Sequence, residues 1–436
     1  MSVHGWRRGL LPVVAIFAAL IISGCSSNAA ALTGSSWPGI TADDDTIYVA
    51  FQGGVHAIDG ESRQTLWSYS ALSERRSLIG GRRPVSFFAE PFVGDDIVVV
   101  GDYSESLHAL DAEDGQRLWI FSTDRARFIG GAVAQDDVVY AGAADGNLYA
   151  LDASSGEELW AFPTDGEIWD APLLAEGVLY VPSLDHKLYA VDAQTGREIW
   201  QFETGGAVVG TPTLDDGVLY FGAFDKTIYA LDVESGRELW KREVEDWVWD
   251  SPAVADGLLV AGDLSGHVYG LNSDDGSIAW EIQTEDNQPV VGTPLIKDGT
   301  AYFASGDANV YAVDVENGQV RWSETITSEF TGQLLFIQTG TSVRDVPIYG
   351  PLVSYDDQLL VGLPQGDDLL QIRNADGGTE AWTYAPEGGA QTAASAGSEE
   401  EQPEELTPTQ QLLRWGPLVV SMILFTILLS RRQQQQ

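Results

Sequence analysis

Val218-Leu219-Tyr220-Phe221-Gly222, then Asp225-Lys226, then Thr227-Ile228-Tyr229-Ala230-Leu231-Asp232, then Glu234-Ser235-Gly236 and Trp240: this succession decides the fold. Two runs rich in β-branched and aromatic residues flank a polar two-residue break, the pattern of a β-hairpin. Glu234-Ser235-Gly236 reads as a second turn, leading into a strand that carries Trp240. A further short strand opens the unit near Gly210-Thr211-Pro212. Asp232 is placed to accept backbone N–H groups in the turn after it, and Gly236 to take the positive φ that such a turn needs. One unit therefore holds four strands.

The unit recurs eight times. His56-Ala57-Ile58-Asp59 leads to Trp67, His108-Ala109-Leu110-Asp111 to Trp119, Tyr149-Ala150-Leu151-Asp152 to Trp160, and Tyr189-Ala190-Val191-Asp192 to Trp200. After the copy ending at Trp240 come Tyr269-Gly270-Leu271-Asn272 with Trp280 and Tyr311-Ala312-Val313-Asp314 with Trp322. The last copy, Gln371-Ile372-Arg373-Asn374 with Trp382, is degenerate. Asp or Asn precedes Trp by eight residues in every copy, and Gly precedes it by four in seven; in the first copy Arg63 replaces the Gly. The central tryptophans recur every 40 residues, a period that marks a repeat architecture with one blade per repeat. The expectation is an all-β, eight-bladed β-propeller over residues 37–385, with each indole wedged between its own blade and the next. A ring of that size buries about 150–250 Å², a gross transfer term of roughly 4–6 kcal/mol. The repeated Asp residues read as turn caps. Copies one and eight each hold four strands of their own, so no strand exchange is evident between the chain ends. Arg373, at a normally apolar position, marks the eighth blade as the least stable.

The 436 residues carry 65 acidic against 23 basic side chains, a net charge of −42. Such a surface repels phosphate backbones, which excludes nucleic acid as a partner. An acidic, lysine-poor surface suits either a high-salt habitat or simply an acidic face. Cys25 is the only cysteine, so an internal disulfide and a thiolate metal site are both excluded. The five histidines are His4, His56, His108, His186 and His267. His56 and His108 take the repeat position that other copies fill with Tyr, and no pair has metal-ligand spacing. No phosphate-binding loop, nucleophile–base pair or paired-carboxylate arrangement stands out.

Both ends read as membrane signals. Arg7-Arg8 and the apolar stretch Leu10 to Ile22 form a signal peptide over residues 1–24. Ile22-Ser23-Gly24-Cys25 resembles the lipobox of bacterial lipoproteins, which implies lipidation at Cys25 and a short tether over 25–36. Arg7-Arg8 also resembles a twin-arginine export signal. Residues 386–411 form an acidic, Pro- and Ala-rich linker of disordered composition. Residues 412–430 are apolar apart from Arg414, just long enough to span a bilayer as a helix. Arg431 and Arg432 place the tail, 431–436, in the cytoplasm. The expected location of the propeller is the extracytoplasmic face of the cell membrane, held by a lipid and by a single-pass helix.

The repeat Ala-x-Asp-x-x-x-Gly-x-x-x-Trp resembles the tryptophan-docking motif of the PQQ-like (quinoprotein-like) β-propeller family, and its eight copies cover about four-fifths of the chain. The resemblance implies one of two classes. Quinoprotein dehydrogenases hold pyrroloquinoline quinone and Ca²⁺ in the central funnel. They are longer chains, and the alcohol-oxidising ones carry a vicinal disulfide that this sequence lacks. Lipoprotein scaffolds of the BamB type have the same repeats after a lipobox and bind proteins. The sequence resembles the second class more closely. The expectation is a scaffold for protein partners in envelope assembly, insertion or secretion, with no catalytic residues, cofactor, metal or small-molecule substrate. A quinone-dependent dehydrogenase and a ligand-sensing propeller are the alternatives.

A partner surface is also legible. Loops from the outermost strand of one blade to the innermost of the next share one face around the channel mouth. Three residues before the Pro that opens each inner strand stand Phe88, Trp169, Val209, Trp249, Val291 and Ile348; Phe128 is taken as the third blade's equivalent, with Gly131 replacing Pro. Trp247 stands beside Trp249. Large aromatics around an opening are candidate anchors. The two longest insertions reach the same face: Ser73 to Val85, with Arg75, Arg76, Arg82 and Arg83, and Thr325 to Pro347, with the apolar run Leu334 to Ile337. Together they suggest a mixed arginine–aromatic ledge.

Overall fold

The computed structural model describes residues 37–386, apart from 44, 73–84, 124–125 and 335–336, and apart from the side chains of 331–340. The signal peptide, Cys25, the four arginines of the first insertion, Leu335 and Phe336 of the second, the linker past 386 and the apolar stretch 412–430 all lie outside the described residues. Among the described residues, no helix is long and apolar enough to cross a membrane.

Eight four-stranded antiparallel sheets follow one another, and each is built from a single contiguous segment. They span 39–69, 92–122, 132–163, 173–203, 213–243, 253–283, 295–325 and 353–384, here blades 1 to 8. Strands are lettered a to d from the channel outward. In blade 5 these are Thr213–Asp215, Val218–Ala223, Thr227–Asp232 and Glu238–Glu243. An extra hairpin, Thr327–Leu334 with Ile337–Asp345, fills the insertion between blades 7 and 8.

Strands b and c are buried along their middles because each blade is covered on both faces by its neighbours. Tyr220, Ile228 and Ala230 of blade 5, for example, pack against Val248, Leu259, Ala261, Tyr269 and Leu271 of blade 6 and the loop before it. Strand d carries a register shift in every blade, at Ala230/Leu231 in blade 5: Ala230 faces Trp240 while Leu231 faces Glu238. The bulge leaves one residue unpaired, Leu239 here, which stays 41% exposed at the rim. Bulges re-aim the neighbouring side chain, and the side chain so aimed is the docking tryptophan.

The indoles join the blades. Trp67, Trp119, Trp200, Trp240, Trp280 and Trp322 each donate Nε1–H to a carbonyl of the next blade, at 2.6–3.2 Å. The indole face lies on the glycine four before the next tryptophan: a Cβ on Gly236 would sit 2.6 Å from the ring of Trp200, and Gly236 has φ +66°. Trp160 meets Gly196 in the same way. The aspartates cap the turns, with Asp232 accepting the Ser235 N–H at 2.9 Å and Asp152 those of Ser154 and Ser155.

Ring closure needs no shared strand. Ile40, Ile47, Val49 and Ile58 of blade 1 form one core cluster with Leu360, Leu370, Ile372 and Tyr384 of blade 8. Thr65 and Tyr384 hydroxyls meet at 2.9 Å. Arg63, the residue that replaces glycine in copy one, adopts φ +63° and sets its guanidinium 5.3 Å from the centre of the Trp382 ring. Arg373 is buried yet bonded, donating to Gly378 O and Gln371 Oε1 at 3.0 Å; one of its donors, Nε, has no partner.

Candidate functional site at the channel mouth

A cavity of about 350 Å³ opens at the channel mouth, where the loops entering strand a converge. Its walls include Trp37, Phe88, Ile129, Trp169, Val209, Trp249 and Val291. Of the expected surface residues, Phe88, Trp169, Val209, Trp249 and Val291 are brought together here. Phe128 is corrected: it is 0% exposed and belongs to the core between blades 2 and 3, so no partner can reach it. The physical reason is register. Phe128 N–H donates to Asp102 O as Ile168 N–H does to Ala143 O and Val248 N–H to Ala223 O, so Ile129 is the equivalent of Trp169. Ile348 is likewise core, its N–H bonded to Ser305 O. In blade 8 Pro351 stands one place early, and the equivalent residue is Tyr349.

Trp37 was missed because Ile40 occupies the place of the marker proline in blade 1. A better signal was available: the position lies eleven residues before the third residue of strand b, as Trp169 does before Tyr180, Phe88 before Val99 and Trp37 before Tyr48. Trp247 lies outside the cavity, 38% exposed and stacked on Phe224 at 4.9 Å.

The aromatic side chains stand in two groups. Trp169 and Trp249 stand 6.3 Å apart at 37°, Trp249 meets Phe224 at 5.4 Å, and Phe88 meets Tyr103 edge-on at 4.9 Å. Trp169 Nε1–H donates to Glu167 at 2.6 Å, and Glu167 also pairs with Arg127 at 3.8 Å.

Three carboxylates face into this enclosure, and sequence reading had not separated them from the many solvated acids. Asp170 accepts the N–H groups of Ala171 and Thr211 at 2.8 and 3.0 Å, and Asp250 those of Ser251 and Thr293 at 2.8 and 3.1 Å. Each thereby staples its own strand a to that of the following blade. Glu90, in the loop entering blade 2, makes no hydrogen bond or ion pair with a described residue; it lines the cavity and stays exposed to solvent. The protein packed around it raises its carboxyl to about 8, with the charges of Asp170 and then Asp250 adding to the rise. Burial and then the charge of Asp170 push Asp250 up to about 7, and burial also raises Asp170.

The cavity does not suit pyrroloquinoline quinone. That cofactor bears three carboxylates and would meet three more, with Arg127 already committed to Glu167. Among the described residues, no group of three His, Cys, Asp or Glu side chains is close enough to hold a metal ion. Asp102 and His108, 2.8 Å apart, form a buried pair bonded to Tyr69, in the place where other blades pair Tyr with Asp.

Comparison with known proteins agrees with the fold. A family model described as outer membrane protein assembly factor BamB matches residues 26–160, 104–212 and 185–400. The crystal structure of BamB from Moraxella catarrhalis superposes with a TM-score of 0.62 at 19% identity, over 76% of this chain and 92% of that one. The computationally designed Ika8 protein gives 0.60 at 17% identity, over 78% and 96%. A europium-containing methanol dehydrogenase gives 0.58 at 13% identity, over 74% and 81%. A search of curated protein sequences returns no match. With repeats, blades and family model in agreement along most of its length, the chain belongs to the BamB family of PQQ-like β-propellers.

Proposed function

We propose that this protein is a membrane-tethered, extracytoplasmic scaffold that binds other proteins through its channel-mouth face, in the assembly, insertion or secretion of envelope proteins, and that it is not an enzyme. The observation that carries this reading is the aromatic wall at the mouth of a propeller whose family model is that of an assembly factor. Half-exposed Trp and Phe rings on a rigid frame are the side chains on which protein interfaces concentrate their binding energy. The tether rests on Cys25 and on the apolar residues 412–430.

The test is site-specific photo-crosslinking of the full-length chain in its native membrane. A crosslinker at Phe88 or Ile129 is expected to yield discrete protein adducts, and one at Leu239 on the outer rim to yield none. Adducts from the rim alone would overturn the mouth as the binding face. Turnover of an artificial electron acceptor by the purified chain with added quinone and Ca²⁺ would overturn the non-enzymatic reading. Replacing Arg75, Arg76, Arg82 and Arg83 with Ser tests the ledge; undiminished adducts would remove it. Cys25→Ser is expected to abolish incorporation of labelled lipid.

A further inference from the structure

The mouth cavity combines features that select one kind of guest. Its volume of about 350 Å³ admits a side chain, not a folded element. Trp169 and Trp249, 6.3 Å apart and tilted by 37°, both line it, and aromatic rings attract alkyl stems and cations. Three carboxylates from blades 2, 4 and 6 face inward, while the lining cation, Arg127, is paired with Glu167. Asp170 and Asp250 have part of their acceptor capacity filled by backbone N–H groups, whereas Glu90 has none of its own filled by a described residue. A carboxylate with open acceptor positions at the wall of an aromatic cavity gains a charge-assisted hydrogen bond when a cation is seated there.

We infer that the cavity seats the charged head of an arginine or lysine side chain presented by a partner polypeptide, its stem against Trp169 and Trp249 and its charge facing Glu90, Asp170 and Asp250. This rests on the scaffold reading and adds the chemistry of the partner: an exposed basic residue on an extended or turn segment. The elevated carboxyls give a second signature. A bound cation favours their ionised form, so binding releases protons and tightens with rising pH. The titratable and charged groups lining the cavity are Glu90, Asp170, Asp250, Tyr103 and Arg127.

The experiment is calorimetric titration of the full-length chain in detergent with a short capped peptide bearing one central arginine, and with its citrulline twin. The arginine peptide is expected to bind about tenfold or more tightly than the citrulline form, with an affinity that rises from about pH 6 to about pH 9. Glu90→Gln, which removes a charge without removing a hydrogen bond, should weaken it severalfold; Glu90→Gln with Asp250→Asn should abolish the preference. Equal binding of both peptides, or no loss in Glu90→Gln with an unchanged melting curve, overturns the inference. Binding that emerges only after Arg75, Arg76, Arg82 and Arg83 are replaced by Ser assigns the cavity to this chain's own arginines and also overturns it. The two readings separate cleanly. Native crosslinks that persist in the double variant keep the scaffold and discard the cation site, whereas peptide binding without native crosslinks keeps the site and discards the scaffold.

Discussion

At the scale of the residue, two sets of tryptophans do different work. Trp200 lies on Gly236, donates to Val233 O at 3.2 Å and packs beside Tyr180 in the core between blades 4 and 5. Its truncation leaves a hole on both sides, so Trp200→Ala should cost about 3–5 kcal/mol. Trp169 lies half-buried at the cavity wall, and Trp169→Ala should cost about 1–2 kcal/mol. Chemical denaturation of the two variants checks this, and equal losses would refute the distinction. Gly236→Ala meets the indole of Trp200 and a positive φ together, and should cost well over 1 kcal/mol. Arg373 poses the opposite case. Its burial is only partly compensated, because Nε lacks a partner, so Arg373→Met should change stability by less than about 1 kcal/mol. Arg373→Ala, which empties the space, should cost about 2–4 kcal/mol.

At the scale of the element, the unit of stability is the blade interface rather than the blade. Each sheet is contiguous in sequence, and no strand is exchanged at the seam. The seam therefore depends on the Ile40–Tyr384 cluster, the Thr65–Tyr384 contact and the Arg63–Trp382 stack. Arg63→Ala should weaken the seam by about 0.5–1 kcal/mol, read as earlier hydrogen exchange in blades 1 and 8 than in blades 4 and 5. Uniform exchange across all blades would show that the stack contributes nothing. Arg63→Gly restores the residue used in the other seven copies and relieves the positive φ, so it should cost less than Arg63→Ala.

At the scale of the whole molecule, charge sets the response to pH and salt. The ordinary carboxyl values are well below those of Glu90, at about 8, and Asp250, at about 7. The folded state thus holds protons that the unfolded chain has released, and stability falls as pH rises until both groups have ionised. His56 acts in the other direction: burial lowers it to about 4, so its contribution is present above about 6.5 and lost as pH falls toward 4. Glu90→Gln with Asp250→Asn should melt above the wild type near pH 9 and close to it near pH 5. A wild-type melting temperature that stays flat from about pH 6 to about pH 9 would contradict this. A net charge of −42 also predicts that added salt raises the melting temperature, by screening self-repulsion.

The number of blades, the strand order within each, the turn caps and the docking tryptophans were legible in the sequence, because each is a local pattern repeated in phase: Asp232, Gly236 and Trp240 belong to one turn and one strand. The seam was only partly legible, since Arg63 announced itself as an exception but its target, Trp382, lies at the other end of the domain. The cavity was half visible. Its apolar side chains carry a constant spacing from strand b, yet the proline marker drew Phe128 and Ile348 into the set and left out Trp37 and Ile129. Glu90, Asp170 and Asp250 could not be singled out among 65 acids. What distinguishes them is that the loops entering blades 2, 4 and 6 bring them to the wall of one cavity. That convergence is a property of the closed ring, and no single repeat contains it.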